Sequence, residues 1–281
     1  MPKVWAQMVM PKPYFDRDGI IIYHGDCQDI LPKIISESVD MVLTDPPYGH
    51  NNNDGDLIHK WEEALGLTKH NHVIPGDARP IANDSVEDSA RIVKYIFKES
   101  ARLLKPGCCC CCCCGGGGGP DPQFARWSLW LDAEIPFKHA VVWDKGGLGM
   151  GWHYRRNYEL ILIAQKPGAA CNWHGDKSVA NVMRYSGIKP SASDHPTPKP
   201  VSLMSRFISL HTAPGETVLD PLMGGGSTLV AAKMLGRKAI GIDLDERWCE
   251  LAASRLTKRT KSGISKRKRL NHHKRKKGAA R

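Results

Sequence analysis

The sequence predicts an α/β fold built on a doubly wound, mostly parallel sheet, and three observations carry that prediction. Short apolar runs rich in β-branched residues, at 19–23 (GIIIY), 39–43 (VDMVL) and 238–242 (KAIGI), alternate with segments of helical pattern. Polar clusters follow these runs: HGDC after the first, TDPPYG after the second, and DPLMGGGST after residues 217–219. In an open parallel sheet, ligands bind outside the carboxyl ends of the strands, which is where these clusters fall. The third observation is size: 281 residues, 41% of them apolar, suffice for one large core with appendages.

Each element can be justified in order. Residues 19–23 form a strand leading to His24-Gly25-Asp26-Cys27, and residues 30–35 a short helix. The run 39–43 is a buried strand that Pro46-Pro47 must end, because proline has no backbone donor for a central ladder. Residues 50–84 are polar and aperiodic, a length of loop that in compact domains marks function or mobility. A helix from Val86 to about Leu104 closes in a turn at LLKPG, and Cys108 to Cys114 form the next strand. Gly115 to Gly119 then make a mobile loop at its ligand end. A helix around 124–132, strands at 139–143 and 159–164, and a polar region at 168–194 follow. Pro200 suits the first turn of a helix. The last unit is strand 217–219, glycine loop, helix and strand 238–242, before a final helix at 246–256. There is no internal repeat.

Charge is distributed unevenly. Of the 40 Lys and Arg, 12 lie between Lys258 and Arg281, where there is no Asp or Glu; the other 28 nearly balance the 29 acidic residues. We expect a domain over residues 1–257 and a basic, disordered tail over 258–281. Its densest parts, Lys266-Arg267-Lys268-Arg269 and Lys274-Arg275-Lys276-Lys277, are candidates for nucleic-acid contact, with a solvated, solubilising tail as the plain alternative. No run is apolar and long enough to span a bilayer, and Met1 to Trp5 lacks the apolar core of a secretory signal, so a cytoplasmic protein without membrane contact is expected. Seven of the ten cysteines are consecutive. A straight strand cannot wrap a metal by itself, so they are read as small buried hydrophobes and no metal site is assigned.

Two motifs carry chemistry. In TDPPYG, Asp45, Pro46, Pro47 and Tyr48 stand at a strand's exit; an aspartate facing solvent in a proline turn is the alternative. In VLDPLMGGGSTLVAAKMLGRKAIGIDLD, a strand runs into Asp220, glycines 224–226 open a helix, and the next strand ends at Asp243. Glycines let the backbone approach a ligand, and an acid ending the next strand accepts from ribose hydroxyls. A dinucleotide fingerprint needs glycine where Leu229 stands, and a P-loop needs a Lys-Ser/Thr pair that this loop lacks. A nucleoside without pyrophosphate, such as S-adenosylmethionine (SAM), needs neither. A purely structural strand-turn-helix stays open.

Together TDPPYG and LDPLMGGGST resemble the motifs of the DNA amino-methyltransferases. Because the Asp-Pro-Pro-Tyr motif precedes the glycine loop and HPTPKP lies before that loop, the chain is most similar to the β class, over about residues 19–256. The resemblance implies a Rossmann-like SAM-dependent methyltransferase fold of permuted motif order, SAM as cofactor and double-stranded DNA as partner. It leaves room for a homodimer and for a companion restriction enzyme. Asp45 and the Pro46 carbonyl would hold the target amino group, and Tyr48 would stack on the base. Asp220, Gly224 and Gly226 would line the SAM site, Asp243 would bind its ribose, and Asp26 would lie near its adenine. Thr197 and Lys199 would sit near its methionine end. Target recognition would fall to residues 168–194 and the loop 50–84. Leu222, Gly225 and Ser227 replace the usual phenylalanine, serine and threonine of the family's loop.

The chemistry explains the motif. An exocyclic amine is a poor nucleophile because its lone pair is delocalised, and two acceptors on its hydrogens would favour a pyramidal nitrogen aimed at the methyl group. The base must leave the duplex to be reached, hence the aromatic. Attack at cytosine C5 would need a Pro-Cys dipeptide, which is absent. The Asp form of the motif favours N6 of adenine; N4 of cytosine, or a catalytically silent SAM- or DNA-binding protein, are the alternatives.

Overall fold

The computed structural model describes residues 9–50, 81–114, 123–147, 155–188 and 198–258. In chain order the elements are β1 (Phe15–Arg17), β2 (Ile20–His24), α1 (Cys27–Ile30), a 3-10 turn (Leu31–Lys33), β3 (Val39–Thr44), α2 (Val86–Leu103), β4 (Leu104–Cys114) and α3 (Gln123–Glu134). They continue with β5 (Phe137–Asp144), β6 (Tyr158–Gln165), β7 (Val182–Arg184), α4 (Val201–His211), β8 (Thr217–Asp220), α5 (Ser227–Met234), β9 (Lys238–Asp243) and α6 (Glu246–Thr257).

Among the described residues the nine strands make one sheet in the order β1-β2-β9-β8-β3-β4-β6-β5-β7. The run β2-β9-β8-β3-β4 is parallel throughout, whereas β6 is antiparallel to both β4 and β5. From β8 the chain winds through α5 to β9, and from the adjacent β3 it winds through α2 to β4 in the opposite direction. The switch point therefore lies between β3 and β8, and Asp45 and Asp220 are at their carboxyl ends. The doubly wound expectation holds.

Alternation along the central strands feeds two cores. Cys108, Cys110, Cys112 and Cys114 pack with Ile92, Phe97, Trp127 and Leu131 of α2 and α3. Cys109, Cys111 and Cys113 pack on the opposite face with Phe207, Leu229 and Ala252 of α4, α5 and α6. All seven are buried, as a strand covered on both faces requires. Burial pushes the Cys110 thiol up to about 12, against a hydrogen bond with Ser100 that lowers it. Among the described residues no group of three or more His, Cys, Asp or Glu could hold a metal ion, and no helix is long and apolar enough to cross a membrane.

Several details differ from expectation. The short helix expected at 30–35 forms earlier, because the Asp26 carboxylate caps it by accepting from the Gln28 N–H at 2.8 Å, and Pro32 leaves only a 3-10 turn behind it. LLKPG does not close a turn: β4 already starts at Leu104, and an irregularity in its pairing with β3, with Gly107 at φ +84°, absorbs the proline. Lys105 is thereby brought to the buried Asp40 at 2.6 Å. Pro200 is the N-cap of α4 rather than part of its first turn. The edge strands β1 and β7 were not anticipated; three residues each leave too short a pattern to read, and β7 lies inside the polar region 168–194. The glycine run 115–119, residues 51–80 of the long loop, Thr197 and the basic tail beyond Lys258 lie outside the described residues.

Candidate active site

The site has two halves, side by side at the carboxyl edge of the parallel strands. The first is built by backbone. After β8 the chain turns through Gly224 (φ +48°) and Gly226 (φ +74°), a left-handed path that favours glycine. A Cβ on Gly226 would lie 2.7 Å from the Cβ of Ala252 on α6, so close packing forbids one as well. Arg255 of α6 donates to the Gly225 carbonyl and latches the loop.

At the end of β9, one Asp243 oxygen accepts the Gly224 N–H at 2.8 Å and the other the Asp245 N–H at 2.9 Å. Burial pushes the Asp243 carboxyl up to about 6, against those two N–H groups and His24. Each oxygen retains a lone pair for a further donor. The Gly25 N–H donates to the Asp243 carbonyl at 2.9 Å, which sets half-buried Asp26 at the exit of β2 beside the exit of β9. Asp220, 3% exposed, is pushed up to about 7 by burial, opposed by the hydroxyls of Thr228 and Thr44 and the Leu222 N–H. The structure thus gathers Asp26, Asp220, Gly224, Gly226 and Asp243 on three neighbouring strands.

The second half is built by side chains from distant segments. The Asp-Pro-Pro-Tyr loop is clamped from α2 and α3: Ser89 donates to the Pro47 carbonyl at 2.6 Å, Gln123 to the Tyr48 carbonyl, and the Gly49 N–H to Asp84 at 2.9 Å. No donor among the described residues reaches the Pro46 carbonyl. The Tyr48 ring stands edge-on to Trp127 at 6.0 Å and to His50 at 5.9 Å.

Both oxygens of Asp45 are engaged. Its Oδ1 accepts from the Tyr48 hydroxyl at 2.7 Å and its Oδ2 from Lys199 at 2.5 Å. Burial raises its carboxyl, and Glu159 adds to the rise, while Lys199 opposes both. Burial alone would lower Lys199, but the carboxylates of Asp45 and Glu159 outweigh it and hold the ammonium charged. Lys199, which the resemblance puts near the methionine end of the cofactor, thus stands against the Asp45 carboxylate and 5.2 Å from the centre of the Tyr48 ring.

Sequence reasoning missed Glu159 and Lys145. Glu159 is the second residue of β6, and because β6 runs antiparallel to β4 its first residues lie at the ligand edge. The signal was an acid at the head of the apolar run ELILIA, at the end where the neighbouring strands finish. Lys145 follows β5 and pairs with Glu159.

The arrangement can hold a nucleoside on one side and a hydrogen-bond donor on the other, and the chain is similar to several known proteins. M2.LlaDCHI, a type II methyltransferase of Lactococcus lactis subsp. cremoris, is 27% identical over 280 residues, which cover 92% of this chain and 97% of that protein. The DNA adenine methyltransferase YhdJ of Escherichia coli is 25% identical, over 92% of this chain and 94% of its own. Among solved structures, a DNA modification methylase from Thermus thermophilus has a TM-score of 0.59 at 21% identity, covering 84% of this chain and 94% of that one. The PvuII cytosine-N4-specific DNA methyltransferase has a TM-score of 0.64 at 16% identity, covering 89% and 90%. The fold is the Rossmann-like methyltransferase fold, with β3 and its Asp-Pro-Pro-Tyr exit ahead of the glycine loop. Its sequence from 39 to 254 matches the model of the DNA methylases of N6 and N4 type, and the chain belongs to that family.

Proposed function

We propose that this protein transfers the methyl group of SAM to the exocyclic amino group of a flipped-out DNA base, N6 of adenine. One observation carries the reading. The backbone-held acids of the glycine loop and the Asp45 loop end adjacent strands at the switch point, so a methyl donor and an amine acceptor would meet there.

SAM supplies an electrophilic methyl group. Asp243 would accept its ribose hydroxyls with the lone pairs that Gly224 and Asp245 leave free, Asp26 and Asp220 would help hold it, and Gly224 and Gly226 would let the backbone approach. Thr197 keeps its place at the methionine end as part of this reading, whereas Lys199 is assigned to the acceptor half. There Asp45 and the Pro46 carbonyl accept the two amine hydrogens, and the developing positive charge on nitrogen falls beside a preorganised carboxylate. Stiff prolines, in a loop held by Ser89 at the Pro47 carbonyl and Gln123 at the Tyr48 carbonyl, fix the two acceptors relative to each other. Tyr48 stacks on the base, with Trp127 behind its ring.

The Asp form of the motif and the adenine enzyme named among the relatives support N6 over N4. Transfer of labelled methyl from SAM to unmethylated DNA, followed by nucleoside analysis, tests both points. Labelled N6-methyladenine is the expected product; labelled N4-methylcytosine would move the assignment, and no label in DNA would leave a silent binding protein.

Double-stranded DNA in the cytoplasm is the partner in this reading, reached by a domain of residues 1–257 with the tail 258–281 as a phosphate-binding arm; a homodimer is compatible with it. Deleting the tail should then weaken binding to all sequences alike, since phosphate contacts position a protein without reading bases. If about half of its charges engage DNA, the slope of log affinity against log salt flattens by about 5 units. Superimposable slopes for the full-length and truncated chains would refute the arm.

A further inference from the structure

Four charged side chains meet around Tyr48: Asp45 and Glu159 against Lys145 and Lys199. Lys145 occupies Oε1 of Glu159. Oε2 of Glu159 lies 3.5 Å from Lys199 and 3.4 Å from the Tyr48 hydroxyl, so the same oxygen is second in line for both donors that now hold Asp45. Those donors sit 2.5 Å and 2.7 Å from Asp45, one on each oxygen. Each Asp45 oxygen keeps one lone pair beyond these bonds, and a target amine that binds there competes with the two donors for the carboxylate. Lys199 is only 8% exposed, and leaving its ammonium unpaired there would be costly.

We propose that Glu159 is a positioning residue for the methyl-transfer step: it receives Lys199 and the Tyr48 hydroxyl as Asp45 turns to the target amine. The inference rests on the methyltransferase reading above. Two carboxylates facing two ammonium groups keep the cluster neutral whichever carboxylate Lys199 favours, so the exchange moves no net charge into the buried site. The move is about 1 Å, within the reach of side-chain rotation. The other groups facing Glu159 are the thiols of Cys113 and Cys114 on β4 and the imidazole of His50, with Arg156 just ahead of β6. Burial would raise the Glu159 carboxyl, but Lys199 and Lys145 together hold it below its ordinary value, so it is charged and ready to accept.

The test compares the full chain with Glu159→Gln and Glu159→Asp. Without a second carboxylate Lys199 stays on Asp45, so Glu159→Gln should lower kcat about ten-fold or more while KM for SAM stays within about two-fold. Asp45 also loses a neighbouring negative charge, so the acid limb of its kcat profile should move to lower pH. Glu159→Asp, which keeps the charge, should recover most of kcat. An unchanged kcat and acid limb in the folded Gln variant would overturn the proposal. The carbon-13 carboxyl resonance of Asp45, assigned with Asp45→Asn, gives a readout independent of turnover. Its titration midpoint should fall in Glu159→Gln, and equal midpoints would also overturn the coupling. If the parent protein transfers no methyl to DNA, the functional reading fails, and the titration still decides whether Glu159 governs Asp45.

Discussion

The two halves of the site lie on neighbouring strands yet are held in opposite ways. Asp243 is fixed by two backbone N–H groups from its own strand-turn-helix unit, and its partner Gly224 is close in sequence. Asp45 is held by Lys199, more than half the chain away, and by Tyr48, which also faces Glu159. Backbone donors cannot swing aside, so the first half is preformed. Side-chain donors rotate, so the second half can exchange partners during a reaction. A cofactor that must be bound in one pose suits the former, and a base that must enter from outside the duplex suits the latter.

The contrast breaks most visibly at Asp45. Asp45→Ala should lower methyl transfer by about 10²–10³-fold or more, since it removes a preorganised acceptor, while leaving SAM affinity nearly unchanged. Near-normal turnover in the purified variant would remove Asp45 from the mechanism, and a parallel loss of SAM binding would show that the halves are not independent. Next in size, Asp243→Ala should raise the SAM dissociation constant about ten-fold or more, read by calorimetry, through loss of a charged acceptor. The parent protein sharpens this point: with the Asp243 carboxyl near 6, its protonated form accumulates as pH falls through that value, so SAM affinity should decline below about pH 6. Affinity flat down to pH 5 would exclude an ionised Asp243 from the contact. The smallest effect concerns the loop itself. Gly226→Ala demands a left-handed alanine and a Cβ 2.7 Å from that of Ala252, which should cost about 1–3 kcal/mol in thermal or denaturant unfolding. A neutral substitution would mean that the loop adjusts as readily as the acceptor half.

The same contrast explains what could be read from sequence. The parallel strands, the glycine loop and Asp243 follow from local patterns: apolar runs, turn residues and an acid at a strand's end all fall within about thirty residues of one another. Asp45 and Tyr48 were legible because two prolines mark where their strand stops. Lys199 and Asp45 were each noticed but their pairing was not, since an ion pair across more than half the chain leaves no periodic trace. Glu159 was invisible for a related reason: its importance depends on β6 running antiparallel, a fact of topology rather than of the run ELILIA. Both edge strands escaped because three residues cannot display an alternation.

The cysteine strand at the centre of the sheet has a consequence for handling the protein. In the folded chain Cys171 is the exposed thiol, and the seven of β4 are sealed between two layers of helices. An alkylating reagent would therefore modify β4 only when the whole sheet opens, and the rate of labelling would count global openings rather than surface breathing. Once open, seven adjacent thiols lie on one flexible segment, each a partner for disulfide exchange with the others or with another chain. Under oxidising conditions each opening would then be a chance to be trapped. The survival of this protein outside a reducing environment becomes a matter of how often its sheet opens, a rate, rather than of how far the folding equilibrium favours the native state.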